Sequence, residues 1–175
     1  MNPNELSTQL AAMHTEAFGW ALHCCHGDAG LAEEVLQNAY VKCLQGRLHH
    51  DGAGSVKAWW LEVIRWTARE EWRRRRRSEG RLMAWLRSWF GDAEEPADAH
   101  PHPARQTELD DEAARLRGLL ARLPARQAEV LHLVFYEHLT IAEAAVVMGV
   151  GVGSARQHYE RGKRRLRELL EQEER

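Results

Sequence analysis

The chain has 175 residues, 44% of them hydrophobic and 29% charged, and a formal net charge of −2. That length holds one ordinary domain or two small ones, and the apolar content excludes wholesale disorder. No apolar run approaches the ~18–20 residues of a membrane span, Met1–Ser7 lacks the order of a signal peptide, and three cysteines form no disulfide framework. A cytoplasmic protein with no direct membrane insertion is expected.

The charge is unevenly spread. Arg65–Arg81 carries eight arginines against three glutamates, and Ser154–Arg167 carries five arginines and a lysine against one glutamate. Between them, Asp92–Glu112 carries eight acids against one arginine. Basic blocks attract phosphates over a Debye length even when the total is near neutral.

The periodicity is helical throughout, so the expected class is all-α. A first helix is expected over about Leu6–Cys25, broken at His26-Gly27-Asp28, and a second over about Gly30–Gln45. The three glycines in 46–55 mark a loop, and Ser55 caps a third helix running at least to Arg77. Trp60, Ile64 and Ala68 share one face of it, widened by Trp59, Val63 and Trp66. Leu82, Trp85, Leu86, Trp89 and Phe90 have the spacing of a further short amphipathic helix, packed on its own domain or offered to a partner. Residues 91–107 read as a linker, with three prolines, acids and histidines.

A second module is expected from Glu108. Leu116, Leu119, Leu120 and Leu123 mark one helix, and Pro124 opens the next, with Val130, Leu131, Val134 and Phe135. Thr140-Ile-Ala-Glu143 has the form of a capping box on a short helix ending at Met148-Gly149. A last basic helix begins near Gly153-Ser154, where Ser154 can cap it. A short capped helix, a glycine turn and a basic helix make the helix-turn-helix pattern, whose second helix enters the major groove. Arg156, Gln157, Glu160 and Arg161 would face bases, with Lys163, Arg164, Arg165 and Arg167 better placed for phosphates.

Three segments, Leu123-Pro-Ala-Arg-Gln-Ala-Glu-Val-Leu131, Leu139-Thr-Ile-Ala-Glu-Ala-Ala145 and Gly153-Ser-Ala-Arg-Gln-His-Tyr-Glu-Arg161, together resemble region 4 of sigma-70 family factors. Ala32-Glu-Glu-Val-Leu-Gln-Asn-Ala-Tyr40 and Lys57-Ala-Trp-Trp-Leu61 through Arg77 resemble region 2. With no separate region 1.1 or 3, the resemblance is to the extracytoplasmic-function (ECF) group. It departs from the usual pattern at Glu34, Thr67, Glu71, Ala144 and Ala145.

The resemblance implies a region 2 domain over 6–90, a linker over 91–107 and a region 4 domain over 108–172. It implies binding to core RNA polymerase through Glu33, Glu34, Gln37, Asn38 and Tyr40, and to the −10 element through Lys57, Arg65, Trp66, Thr67, Arg69, Arg73 and Arg74. Binding to the −35 element falls to Ser154, Arg156, Gln157, Glu160, Arg161, Arg164 and Arg165. Promoter DNA and an anti-sigma factor are the further partners implied. No enzyme activity, cofactor, metal or small-molecule substrate is expected. The alternative is a stand-alone helix-turn-helix regulator binding palindromic sites.

The individual residues leave choices open. Trp60 reads as core, while Trp66 and Trp72 divide between core and stacking on unpaired bases. The loop His49–Val56 is the better place for a flipped-out base. Arg73–Arg77 reads as a solvated or phosphate-facing run. His23-Cys24-Cys25-His26 reads as structural thiols, because four ligands on one helix cannot converge on a tetrahedral ion.

Overall fold

The computed structural model describes residues 3–52, 54–90, 115 and 118–173, and the side chains of 3, 4, 79 and 81–90 are outside that description. The linker expected at 91–107 and the apolar face expected on Leu82–Phe90 therefore lie outside the described residues. Among the described residues every regular element is a helix: α1 Pro3–Ala12, α2 His14–Cys24, α3 Ala29–Leu44, α4 Val56–Phe90, α5 Ala125–Phe135, α6 Ile141–Met148 and α7 Val152–Glu173.

The first expected helix is two. Met13 leaves the helical region, with φ −95° and ψ 11°, and α2 starts afresh after it. The second break falls where the turn was expected: His26 and Gly27 both have positive φ, and the Gly27 amide donates back to the Leu22 carbonyl at 2.8 Å. Asp28 then caps α3 by accepting from the Leu31 amide at 2.9 Å, so α3 starts slightly earlier than the sequence suggested. Ser55 caps α4, accepting from the Ala58 amide at 3.3 Å.

The expected interruption between Arg77 and Leu82 does not occur. Ser78-Glu79-Gly80 contains no proline, and one interior glycine costs only ~1 kcal/mol, so α4 runs on for 35 residues, about 50 Å.

The N-terminal helices pack around Trp20, Leu31, Val35, Trp60, Leu61 and Ile64, all essentially excluded from solvent. The Trp20 indole N–H, which burial would orphan, donates to the Leu61 carbonyl at 2.9 Å. In the C-terminal group, Leu119, Leu120, Leu123, Ala128, Leu131 and Leu169 form a small core of their own. Val130, Leu133, Leu139, Ala144, Val147 and Met148 instead belong to the N-terminal core cluster. The two helical groups are therefore docked along α4 and α6, where the sequence suggested separate tethered bodies.

Candidate nucleic-acid interface

The helix-turn-helix is built locally. The Thr140 hydroxyl accepts from the Glu143 amide at 3.2 Å, and the Glu143 carboxylate accepts from the Thr140 amide at 2.9 Å. These bonds hold the Glu143 carboxyl below the usual carboxylate range. Gly149 closes α6 in the left-handed region at φ +63°, where a Cβ would be strained. Ala144 and Ala145 are buried, allowing close approach of neighbouring helices. Val150 packs on the core, whereas Val152 is exposed.

The last helix starts at Val152, two residues before Ser154, so Ser154 is inside the first turn and is not the cap. The Ala155 amide already bonds the Gly151 carbonyl at 3.0 Å. The first amides of a helix have no intrahelical acceptor, a setting that suits an anion. Ser154, Arg156, Gln157, Glu160, Arg161, Arg164 and Arg165 are all exposed. Two of them have neighbours on α7: Glu160 meets Lys163 at 3.1 Å, and Arg165 meets Glu168 at 3.2 Å. Surface pairs of this kind contribute little and are readily exchanged for phosphate.

On the opposite side of α7, Gly162 is buried against α5. A Cβ there would lie 3.1 Å from Leu131 Cδ1 and 3.3 Å from Gln127 Cβ. A side chain there would have to displace Leu131 by a few tenths of an ångström, so glycine eases the helix approach at that point, a constraint that no local pattern announced.

The arginine-rich helix α4 is less uniform than its sequence. Trp66 is 47% exposed, and the Lys42 ammonium sits 4.4 Å from its ring centroid. Trp72 takes the core alternative, packed on the N-terminal cluster with its indole N–H on the Cys24 carbonyl at 3.3 Å. Thr67 is buried and accepts from Lys42 at 3.4 Å. Arg69 and Arg73 are exposed. Arg74 is exposed but bridges Glu34 on α3 and Glu71 on its own helix, both at 2.6 Å. Arg75 adds a second bond to Glu34 at 2.8 Å. Glu70, Arg73, Arg74 and Arg77 line a shallow cleft of about 340 Å³.

Arg65 and Lys57 are not free. Arg65 is buried and ion-paired with Glu129 on α5. Glu129 also takes Arg126 at 3.0 Å, and Arg126 in turn donates to the Met148 carbonyl at 3.1 Å. Burial, with Arg65 and Arg126 close by, lowers the Arg69 guanidinium from its ordinary value. Lys57 meets the buried Glu137, just beyond α5, at 3.2 Å, and the other oxygen of Glu137 lies 3.4 Å from His132 Nε2. Removing one partner of such a desolvated pair typically costs about 3–5 kcal/mol, because the other charge is left buried.

Glu129 and Glu137 were missed at the sequence level. Glu129 stands one helical turn before Leu133 on the apolar face of α5, which is a signal for an acid on a covered face, whereas Glu137 lies beyond the helix end and carries no such signal.

On α3 and its neighbours, Glu33, Gln37 and Tyr40 join His14, Phe18 and Leu36 around a groove of about 430 Å³. Glu33 and Gln37 are exposed and Asn38 is half-buried. The Tyr40 hydroxyl donates to the Leu10 carbonyl at 3.2 Å, and burial raises its pKa. Glu34 is on the same helix, but its carboxylate is held by Arg74 and Arg75.

His23 stacks on Trp20 and meets His132 across the contact at a centroid distance of 4.5 Å. Burial, then His132 and His26, lower its pKa to about 3. The thiols are displaced the other way by burial: Cys24 well above its ordinary value, Cys25 to about 12 and Cys43 to about 11. Among the described residues no group of three or more His, Cys, Asp or Glu is placed to hold a metal ion. No described helix is long and apolar enough to cross a membrane.

An all-helical chain of two packed groups, one ending in a capped helix-turn-helix with a basic outer row, is a DNA-binding protein by fold and site. Residues 119–168 match the family described as Sigma-70, region 4. The chain is 30% identical over 146 residues to the ECF RNA polymerase sigma factor SigK of Mycolicibacterium vanbaalenii, covering 82% of this chain and 70% of that one. It is 25% identical over 148 residues to the ECF RNA polymerase sigma factor EcfG of Rhodopseudomonas palustris, covering 82% and 74%. The fold is shared with the sigma factor RpoE of Bartonella quintana, solved in complex with the anti-sigma factor NepR, at TM-score 0.65 and 22% identity over 95% of this chain and 97% of the other. CnrH, solved in complex with the cytosolic domain of CnrY, superposes at TM-score 0.65 and 18% identity over 97% and 90%.

The chain belongs to the ECF RNA polymerase sigma factors. As such it binds core RNA polymerase and directs promoter-specific initiation at −10 and −35 elements, rather than acting as a stand-alone regulator.

Proposed function

We propose that α7 reads the −35 element through Arg156, Gln157, Glu160 and Arg161 on bases, and through Ser154, Arg164 and Arg165 on the backbone. The observation that carries this reading is the exposure of all seven residues on the helix that follows a fully formed capping box and the Gly149 turn. Arginine and glutamine suit bidentate contacts to guanine and adenine, and glutamate accepts from cytosine.

The −10 element falls to α4 and the loop before it, with Lys57, Arg65, Trp66, Thr67, Arg69, Arg73 and Arg74 as its residues. Trp66 is the exposed aromatic of that set and supports stacking on an unpaired base. The groove holding Glu33, Gln37 and Tyr40 supports docking on core polymerase, with Glu34 and Asn38 at its side. Residues 6–90 and 108–172 then serve as the two promoter-binding domains and 91–107 as the linker between them. The protein acts in the cytoplasm as an initiation factor with no catalysis of its own. An anti-sigma factor is the expected inhibitor, since the two solved relatives are held by NepR and by CnrY.

Reconstituted transcription tests this. Chain plus core polymerase should give specific transcripts from the promoter of its own operon. Arg156→Ala and Arg161→Ala should each weaken −35 use by about 1–3 kcal/mol. Unchanged promoter strength in both would remove them from the site. Gln37→Ala should weaken retention on immobilised core polymerase while leaving the circular dichroism spectrum intact.

A further inference from the structure

Trp66 stands where burial alone would not leave it. Its neighbours Thr67 and Ala68 are buried, yet 47% of Trp66 is open to solvent. The side chain that reaches its ring comes from α3: the Lys42 ammonium lies 4.4 Å from the centroid. That ammonium is itself tied down. It donates to the Glu70 carboxylate at 2.7 Å and to the Thr67 hydroxyl at 3.4 Å, and its side chain is only 18% exposed. Its three N–H bonds thus have three receivers on α4: a carboxylate, a hydroxyl and a π face. An indole has two faces, and the cation takes one of them. Arg69 and Arg73, three and seven residues further on, are exposed on the same side of α4. A base on the free face of Trp66 would have its backbone phosphates beside these two cations.

We propose that Lys42 is the positioning residue of a one-sided stacking platform: from α3 it pins the Trp66 indole so that one unpaired base of the −10 strand stacks on the opposite face. The inference rests on the reading of α4 as the −10 helix and deepens it, because Lys42 acts through Trp66 and not on the DNA. The physical reason is preorganisation. A free indole at the surface samples its rotamers, and a base that stacks must stop them. The ammonium attracts the negative π face and fixes the ring beforehand. Glu70 neutralises Lys42, so contact with phosphates is left to Arg69 and Arg73.

The test uses holoenzyme assembled from the full chain and core polymerase, with a forked DNA carrying the promoter of its own operon as probe. The probe carries 2-aminopurine in the single-stranded −10 strand, at each position in turn. Its fluorescence should be quenched by stacking at one position, and Trp66→Ala should abolish that quenching and weaken binding about tenfold. Lys42→Met should relieve the same quenching and weaken binding about threefold. The slope of log affinity against log salt should not change, because no phosphate contact is lost. In a Trp66→Ala background Lys42→Met should have no further effect.

A slope that falls by about one would make Lys42 a phosphate contact and overturn the positioning role. Equal losses in both backgrounds would overturn it too, as would wild-type binding and quenching in a Lys42→Met chain with a native circular dichroism spectrum. Two milder variants keep the test open if Lys42→Met does not fold. Lys42→Gln keeps a donor for Glu70 and Thr67 without a charge on the ring, and should lose as much as Lys42→Met. Lys42→Arg keeps a cation that stacks on aromatic faces, and should behave as wild type. Wild-type behaviour of Lys42→Gln, or loss in Lys42→Arg, would overturn the cation as the agent. Undiminished binding in Trp66→Ala would remove the premise, the stacking role of Trp66, whatever the Lys42 variants do. Loss in Trp66→Ala beside an intact Lys42→Met would sink this inference and leave that reading standing.

Discussion

The imidazole of His23 lies between Trp20, with centroids 5.2 Å apart, and His132, 4.5 Å away. Burial lowers its pKa from 6.5 to about 3, so folding favours the neutral ring. As pH falls below about 6.5 the unfolded chain takes up a proton that the folded chain resists. Stability is therefore complete above that pH and is lost progressively toward pH 3. At pH 5 the loss should be about 2 kcal/mol. A urea midpoint that drops between pH 7.5 and 5 in wild type, and drops less in His23→Gln, is the expected result. The thiols behave in the opposite sense. With Cys25 raised to about 12 and Cys43 to about 11, the folded protein holds them protonated. Thiolate reagents at pH 7.5 should label Cys24, Cys25 and Cys43 slowly in the native chain and rapidly in denaturant.

Element by element, the C-terminal group depends on two glycines for different reasons. Gly149 supplies the left-handed turn after α6, so Gly149→Val should cost about 1–2 kcal/mol, and Gly149→Asn less. Gly162 supplies closeness: Gly162→Val would push α7 away from Leu131 and should cost about 1–3 kcal/mol by overpacking. Thermal melts of the three variants should rank accordingly. The sequence showed the first glycine through its place between a capped apolar helix and a basic one. The second is embedded in an uninterrupted basic run, where only the Leu131 side chain opposite explains it. For the same kind of reason the continuity of α4 was not legible. Its local signals at Ser78-Glu79-Gly80 weaken a helix without ending it.

Across the whole molecule, the shared core couples the two helical groups. Val130 and Val147 are wholly buried in the same cluster as Trp20 and Ile64. The free chain should therefore unfold in a single cooperative transition, with calorimetric and van't Hoff enthalpies in agreement. The Glu129→Gln, Glu137→Gln variant should broaden or split that transition as the groups uncouple. A wild-type melt that already resolves into two would mean the contact holds too weakly to link them.

The helical class, the N-terminal break at His26-Gly27, the Ser55 cap, the Thr140–Glu143 box and the family were carried by the sequence alone. Each rests on residues within a few positions of one another, where periodicity and capping chemistry act locally. The partners of Arg65 and Lys57 were settled by tertiary structure, because 64 residues separate Arg65 from Glu129. Charge type along a helix tells what a side chain can bind, while the packing of distant segments decides what it binds.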